Sequence, residues 1–149
     1  MPQAGGVGRA LVADDDTDIL DLVQAVLVNA GHDVVTATNG AVALERLQSE
    51  PFDVVVLDVQ MPGMSGLAVL EATDGMVPPR PPVIMLSGLT TFQDRNRGLE
   101  AGARAYIAKP FRIQQFLRVV DEVMQRDDDQ EADQDDDRSE PSPPRARWH

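Results

Sequence analysis

Short apolar runs alternate along the chain with stretches in which apolar residues recur every three or four positions. Ala10-Leu11-Val12-Ala13 reads as a short buried strand that runs into acids. Ile19, Leu20, Leu22, Val23, Val26 and Leu27 then fall at helical spacing, and Gly31 stops that helix. Residues 33–37 form a second strand. Asn39 can cap a second helix that turns Leu44 and Leu47 inward and ends before Pro51. Val54-Val55-Val56-Leu57 is apolar on both faces, as central parallel strands are. A loop rich in Met, Pro and Gly leads to a short third helix at about 66–73, and residues 78–82 make an extended connector. Residues 83–86 form strand four, a polar fourth helix is expected at about 91–101, and residues 105–108 form strand five. Ile113, Phe116, Leu117, Val120 and Met124 predict the inner face of a fifth helix.

Five strands alternating with five helices predict an α/β fold. Its parallel sheet is doubly wound, with helices on both faces and right-handed crossovers. Ligands in such folds bind beyond the carboxyl ends of the strands, so the residues there decide function. Strand one ends in Asp14, Asp15 and Asp16, strand three in Asp58, strand four in Ser87, and strand five in Lys109-Pro110. If strands one, three, four and five are neighbours, these side chains meet in one cleft. Crowded carboxylates repel, and Mg²⁺ suits them because it prefers oxygen ligands and keeps waters that a phosphate can replace. A carboxylate can attack phosphorus to give an acyl phosphate, while a hydroxyl and an ammonium hold the other phosphoryl oxygens. Each feature alone has a plain structural explanation: an acidic run is often a helix cap, and an Asp at a strand end is often a turn residue. Lys109 is more telling, because every other cationic side chain is arginine and this is the only lysine.

Composition narrows the class. Residues 127–149 carry nine Asp or Glu, three Arg and three Pro, with Trp148 as the only large apolar residue. Such a segment is expected to be a disordered acidic tail, leaving a folded domain at residues 9–126. The net charge of −12 argues against direct nucleic-acid binding. No apolar run approaches the roughly 20 residues that cross a membrane, no signal peptide is evident, and cysteine is absent. A cytoplasmic protein is expected. His32, in a turn, is expected at the surface, and two histidines make a histidine metal site implausible.

The segments Leu11-Val12-Ala13-Asp14-Asp15-Asp16, Val56-Leu57-Asp58-Val59-Gln60-Met61-Pro62-Gly63-Met64-Ser65-Gly66, Pro82-Val83-Ile84-Met85-Leu86-Ser87-Gly88 and Ala105-Tyr106-Ile107-Ala108-Lys109-Pro110-Phe111 resemble the receiver domain of two-component response regulators, the chemotaxis-regulator type included. The resemblance implies a flavodoxin-like (βα)5 sheet of strand order 2-1-3-4-5, with Asp58 as phosphoacceptor. Asp14, Asp15, Asp58 and the Gln60 carbonyl would hold Mg²⁺, with Asp15 a direct ligand. Ser87 and Lys109 would hold the phosphoryl oxygens, Tyr106 would be the aromatic switch, and the Lys109-Pro110 bond would be cis. It further implies a histidine kinase or histidine phosphotransfer protein as donor. A downstream protein target, or a homodimer, would use the face of the fourth helix, fifth strand and fifth helix. Ser65 stands where many members carry Asp, Ser87 replaces the commoner Thr, and Leu89 is apolar where some members are polar. Two other readings stand beside this one. One is a receiver-like interaction module that never takes phosphate. The other is an aspartate-nucleophile phosphatase of the haloacid dehalogenase type, resembled by Asp14-x-Asp16-Thr17 but lacking the further acidic pair and cap domain of those enzymes.

Overall fold

In the computed structural model, which describes residues 8–77, 79–88 and 92–133, the apolar runs become the strands β1 (Arg9–Ala13), β2 (Asp33–Ala37), β3 (Val54–Asp58), β4 (Val83–Ser87) and β5 (Ala105–Ala108). Between and after them run the helices α1 (Thr17–Asn29), α2 (Gly40–Ser49), α3 (Gly66–Ala72), α4 (Phe92–Glu100) and α5 (Ile113–Asp133). All neighbouring strands pair in parallel, in the order β2-β1-β3-β4-β5. This is the flavodoxin-like arrangement expected from the sequence. Among the described residues, no helix is long and apolar enough to cross a membrane.

Alternation along the strands divides the core in two. Ala10, Val12, Val54, Val56, Ile84, Leu86 and Ile107 face α1 and α5, meeting Leu20, Val23, Leu27, Phe116 and Val120. Leu11, Val55, Leu57, Met85 and Tyr106 face the other side, with Ala43 and Leu47 of α2 and Val69 and Leu70 of α3.

The helix starts follow capping chemistry. Asp16 accepts from the amides of Asp18 and Ile19, Asn39 from that of Val42, and Ser65 from that of Ala68. Ser65, which departs from the commoner Asp, thus keeps the cap of α3.

Three expectations change. Ile113 is 43% exposed, because it sits in the first turn of α5, and the inner face starts at Phe116. His32 is buried instead of lying at the surface: its Nδ1 accepts the Gly8 amide at 3.0 Å, which draws the ring under the start of β1. The boundary expected at Arg126 falls inside α5, which continues to Asp133; no glycine or proline lies between Pro110 and Pro141 to stop it sooner. Residues 134–149 of the expected tail lie outside the described residues.

Candidate functional site

The strand order puts the ends of β1, β3, β4 and β5 side by side, as the cleft requires. Register does the rest. Ala13 pairs with Leu57, so the next residues, Asp14 and Asp58, leave adjacent strands together. Asp58 pairs with Leu86, and Ser87 with Ala108, which brings Ser87 and Lys109 to the same edge. The ladder runs on into the site, with Val59 N–H donating to Leu86 O at 3.1 Å and Lys109 N–H to Ser87 O at 2.8 Å. The Lys109-Pro110 bond is cis.

The three consecutive acids separate into distinct roles. Asp16 is the N-cap of α1. Asp14 is fully buried; its Oδ1 accepts the Asp16 amide at 2.9 Å and its Oδ2 accepts Lys109 Nζ at 3.0 Å. Asp15 is exposed at the mouth. Asp14, Asp15 and Asp58 can each offer an oxygen within 4.8 Å of the others. Lys109 Nζ also lies 3.4 Å from Asp58 Oδ2, and the Gln60 amide donates to Asp58 Oδ1 at 3.3 Å.

Burial, then the neighbouring Asp14 charge, push the Asp58 carboxyl up to about 7, against the pull of Lys109 and the Gln60 amide. Burial works against the Lys109 ammonium, but its bond to Asp14 and the charges of Asp58 and Asp14 outweigh that and raise its pKa. The site is therefore an acidic cluster held together by one ammonium, a donor set of hard oxygens that fits Mg²⁺.

Tyr106 is buried in the core on the α2 and α3 side, and its ring lies against Gly98 of α4. Burial raises its phenol pKa, opposed by a hydrogen bond with Ser87. Ser87 and Tyr106 are thus already in contact. Gly66, at the end of the motif that follows β3, has a specific task. A Cβ there would collide with the backbone carbonyl of Asp58, while the Gly66 amide donates to Val59 O at 2.9 Å. Gly66→Ala is expected to cost about 1–3 kcal/mol, as overpacking does. Urea unfolding measures it, and a loss below a few tenths would mean the loop simply moves aside.

The fold and this cleft define a doubly wound α/β protein with an acidic, lysine-closed site at the strand ends. The sequence matches the response regulator receiver domain over residues 10–121, and the chain belongs to that family, a signal-transduction component of two-component systems. It is 42% identical over 107 residues to the transcriptional regulatory protein KdpE of Mycobacterium tuberculosis, covering 72% of this chain and 46% of that protein. Against the transcriptional regulatory protein PrrA of Mycobacterium bovis it is 39% identical over 121 residues, 79% of this chain and 50% of that one. The chain therefore spans about half the length of these relatives. Among solved structures, the CheY-like receiver domain protein of Methanospirillum hungatei aligns with a TM-score of 0.78 at 30% identity, covering 84% of this chain and 99% of that one. The chemotaxis response regulator CheY4 of Vibrio cholerae aligns with a TM-score of 0.74 at 31% identity, covering 78% and 98%.

Proposed function

We propose that this chain is a phosphorylation switch in which Asp58 accepts a phosphoryl group from a histidine kinase or a histidine phosphotransfer protein. The observation that carries the reading is the joint presence of Asp14, Asp15 and Asp58 around one point, with Lys109 bridging two of them. An Asp58 carboxylate oxygen attacks phosphorus, the phosphorus–nitrogen bond of the donor phosphohistidine breaks, and the imidazole leaves with the electron pair. Asp14, Asp15, Asp58 and the Gln60 carbonyl would hold Mg²⁺, which offsets negative charge on the phosphoryl oxygens. Lys109, released once Asp58 becomes an acyl phosphate and its carboxyl loses its charge, turns its ammonium to a phosphoryl oxygen. The Ser87 hydroxyl exchanges Tyr106 for another.

The Ser87–Tyr106 contact gives the switch its readout. When Ser87 turns toward the phosphoryl group, the tyrosine loses a partner and the packing beneath α4 changes. The α4-β5-α5 face would then carry the signal to a downstream protein or to a second copy of the chain. The net charge of −12 supports a protein partner over direct contact with nucleic acid for these residues. Incubation with a small acyl phosphate and Mg²⁺ should add one phosphate to the intact mass, and none in Asp58→Asn or with chelator. An adduct that persists in either condition removes the assignment.

A further inference from the structure

Helix α4 is attached to the domain in an unusual way. Among its residues with described side chains, 93–100, only Gly98 is buried. The helix therefore rests on the Tyr106 ring through a residue with no side chain of its own. A Cβ at Gly98 would come within 3.3 Å of Tyr106 Cδ2, so the approach is close but narrow. Toward α3, a cavity of about 620 Å³ opens beneath α4, lined by Leu67, Met85, Asp94, Arg97, Gly98 and Tyr106 among others. Among the described side chains of α4, no apolar stripe packs into the core.

Its C-terminal end is held differently. Gly102, at φ 111°, donates to Leu99 O at 3.0 Å, and Ala103 donates to Gly98 O at 3.0 Å. These bonds satisfy two of the last carbonyls in a Schellman pattern. The Ala101 carbonyl is taken by Arg80, whose NH2 donates to it at 3.0 Å. The other arm of the same guanidinium, NH1, donates to Leu70 O at 2.9 Å and approaches Thr73 Oγ1 at 3.4 Å, at the end of α3. One cation thus sits between the negative ends of two helix dipoles, where a planar fork can bridge two carbonyls. Pro79, Pro81 and Pro82 stiffen the connector that carries it. A Cβ at Gly102 would displace the Arg80 guanidinium, so glycine there also keeps the fork in place.

We infer that Arg80 pins the C-terminal end of α4 to the C-terminal end of α3, so that a displacement begun at Ser87 is taken up in the first turns of α4 and not at its end. α3 follows the Asp58 loop, and α4 follows the Ser87 strand. The pin therefore joins the two helices that leave the phosphoryl site at the point farthest along each. Removing it frees the C-terminal end of α4 from α3, so that a displacement can spread along the helix. The pin consists of contacts within the domain alone; its effect on signalling rests on the switch proposed above.

The test uses the full chain with Arg80→Ala and Arg80→Lys. Lysine keeps the charge but lacks the fork, so it can serve one helix end at a time. Amide hydrogen exchange without any phosphoryl mimic addresses the pin. Residues 97–103 should exchange about tenfold faster in Arg80→Ala, and by an intermediate factor in Arg80→Lys, with the amides of β1 and α1 unchanged. Exchange within twofold of the unsubstituted protein across 97–103 in Arg80→Ala, or equal acceleration throughout the domain, overturns the inference. Beryllofluoride with Mg²⁺ then addresses the consequence. In the unsubstituted protein, amide shifts should change more over 92–96 than over 98–103, and in Arg80→Ala the two stretches should change alike. Fluorine NMR reports whether both proteins load, which separates failure of the phosphoryl switch from failure of the pin. Equal changes along α4 in the loaded, unsubstituted protein would show that Arg80 does not confine the motion.

Discussion

Without Mg²⁺, Lys109→Ala is expected to destabilise the protein by about 2–4 kcal/mol at pH 8, since removing one member of a buried ionic group leaves its partners uncompensated. Lys109 Nζ lies 3.0 Å from the fully buried Asp14 and 3.4 Å from Asp58. Alanine would leave two buried carboxylates facing each other. Protonation of Asp58, already raised to about 7 in the intact site, relieves that repulsion. The loss should therefore shrink as pH falls from 8 to 5. Mg²⁺ should recover part of it by supplying the missing positive charge. Urea unfolding at the two pH values, with chelator and with Mg²⁺, measures all three effects. A loss independent of both pH and Mg²⁺ would mean that the lysine contributes through its alkyl packing alone.

Asp58→Asn should act in the opposite direction. The folded-state pKa of Asp58 is raised from 3.8 to about 7, so the folded protein binds this proton more tightly than the unfolded chain. For an acid shifted upward, the stabilisation is full below pH about 4 and is lost as pH rises through 7. Asparagine resembles the protonated form at every pH. The Mg²⁺-free variant should thus match the unsubstituted protein near pH 4 and exceed it by about 1–3 kcal/mol at pH 8, less than the full shift implies because the cleft mouth admits water. Mg²⁺ should raise the stability of the unsubstituted protein and leave the variant nearly unchanged. A variant less stable than its parent at pH 8 would show that the charged carboxylate is satisfied in the folded state.

How much of this could be read from the sequence depends on whether a residue's task is set locally. The β3 run of valines is apolar on both faces, which only a central strand tolerates, and the alternation of elements then dictates the sheet. Asp14, Asp58, Ser87 and Lys109 were legible as a group because each follows an apolar run. The division of labour within Asp14-Asp15-Asp16 was not, since three identical side chains differ only in where the turn into α1 aims them. α4 was visible as a helix but not its inner face: among its described side chains the buried position is a glycine, which leaves no apolar signal. Arg80 gave no signal either, because its two carbonyl partners lie ten and twenty-one residues away. His32 looked like a turn residue for the same reason: its partner, the Gly8 amide, is twenty-four residues distant.

The pairing of Ala13 with Leu57 has a consequence for how such a switch can diverge. Asp14 and Asp58 are the residues that follow that pair on the two strands, so the distance at which their main chains leave the sheet is set by the strand spacing, about 4.8 Å. Helix substitutions can tilt or repack the outer layers without altering this dimension. A one-residue slip would destroy it, and would at the same time turn every core side chain of the strand to the wrong face. The spacing of the two acids is thus protected by the same constraint that keeps the domain folded. Single substitutions in the loops after β1, β3, β4 and β5 can alter the surroundings of the two acids and leave the sheet intact.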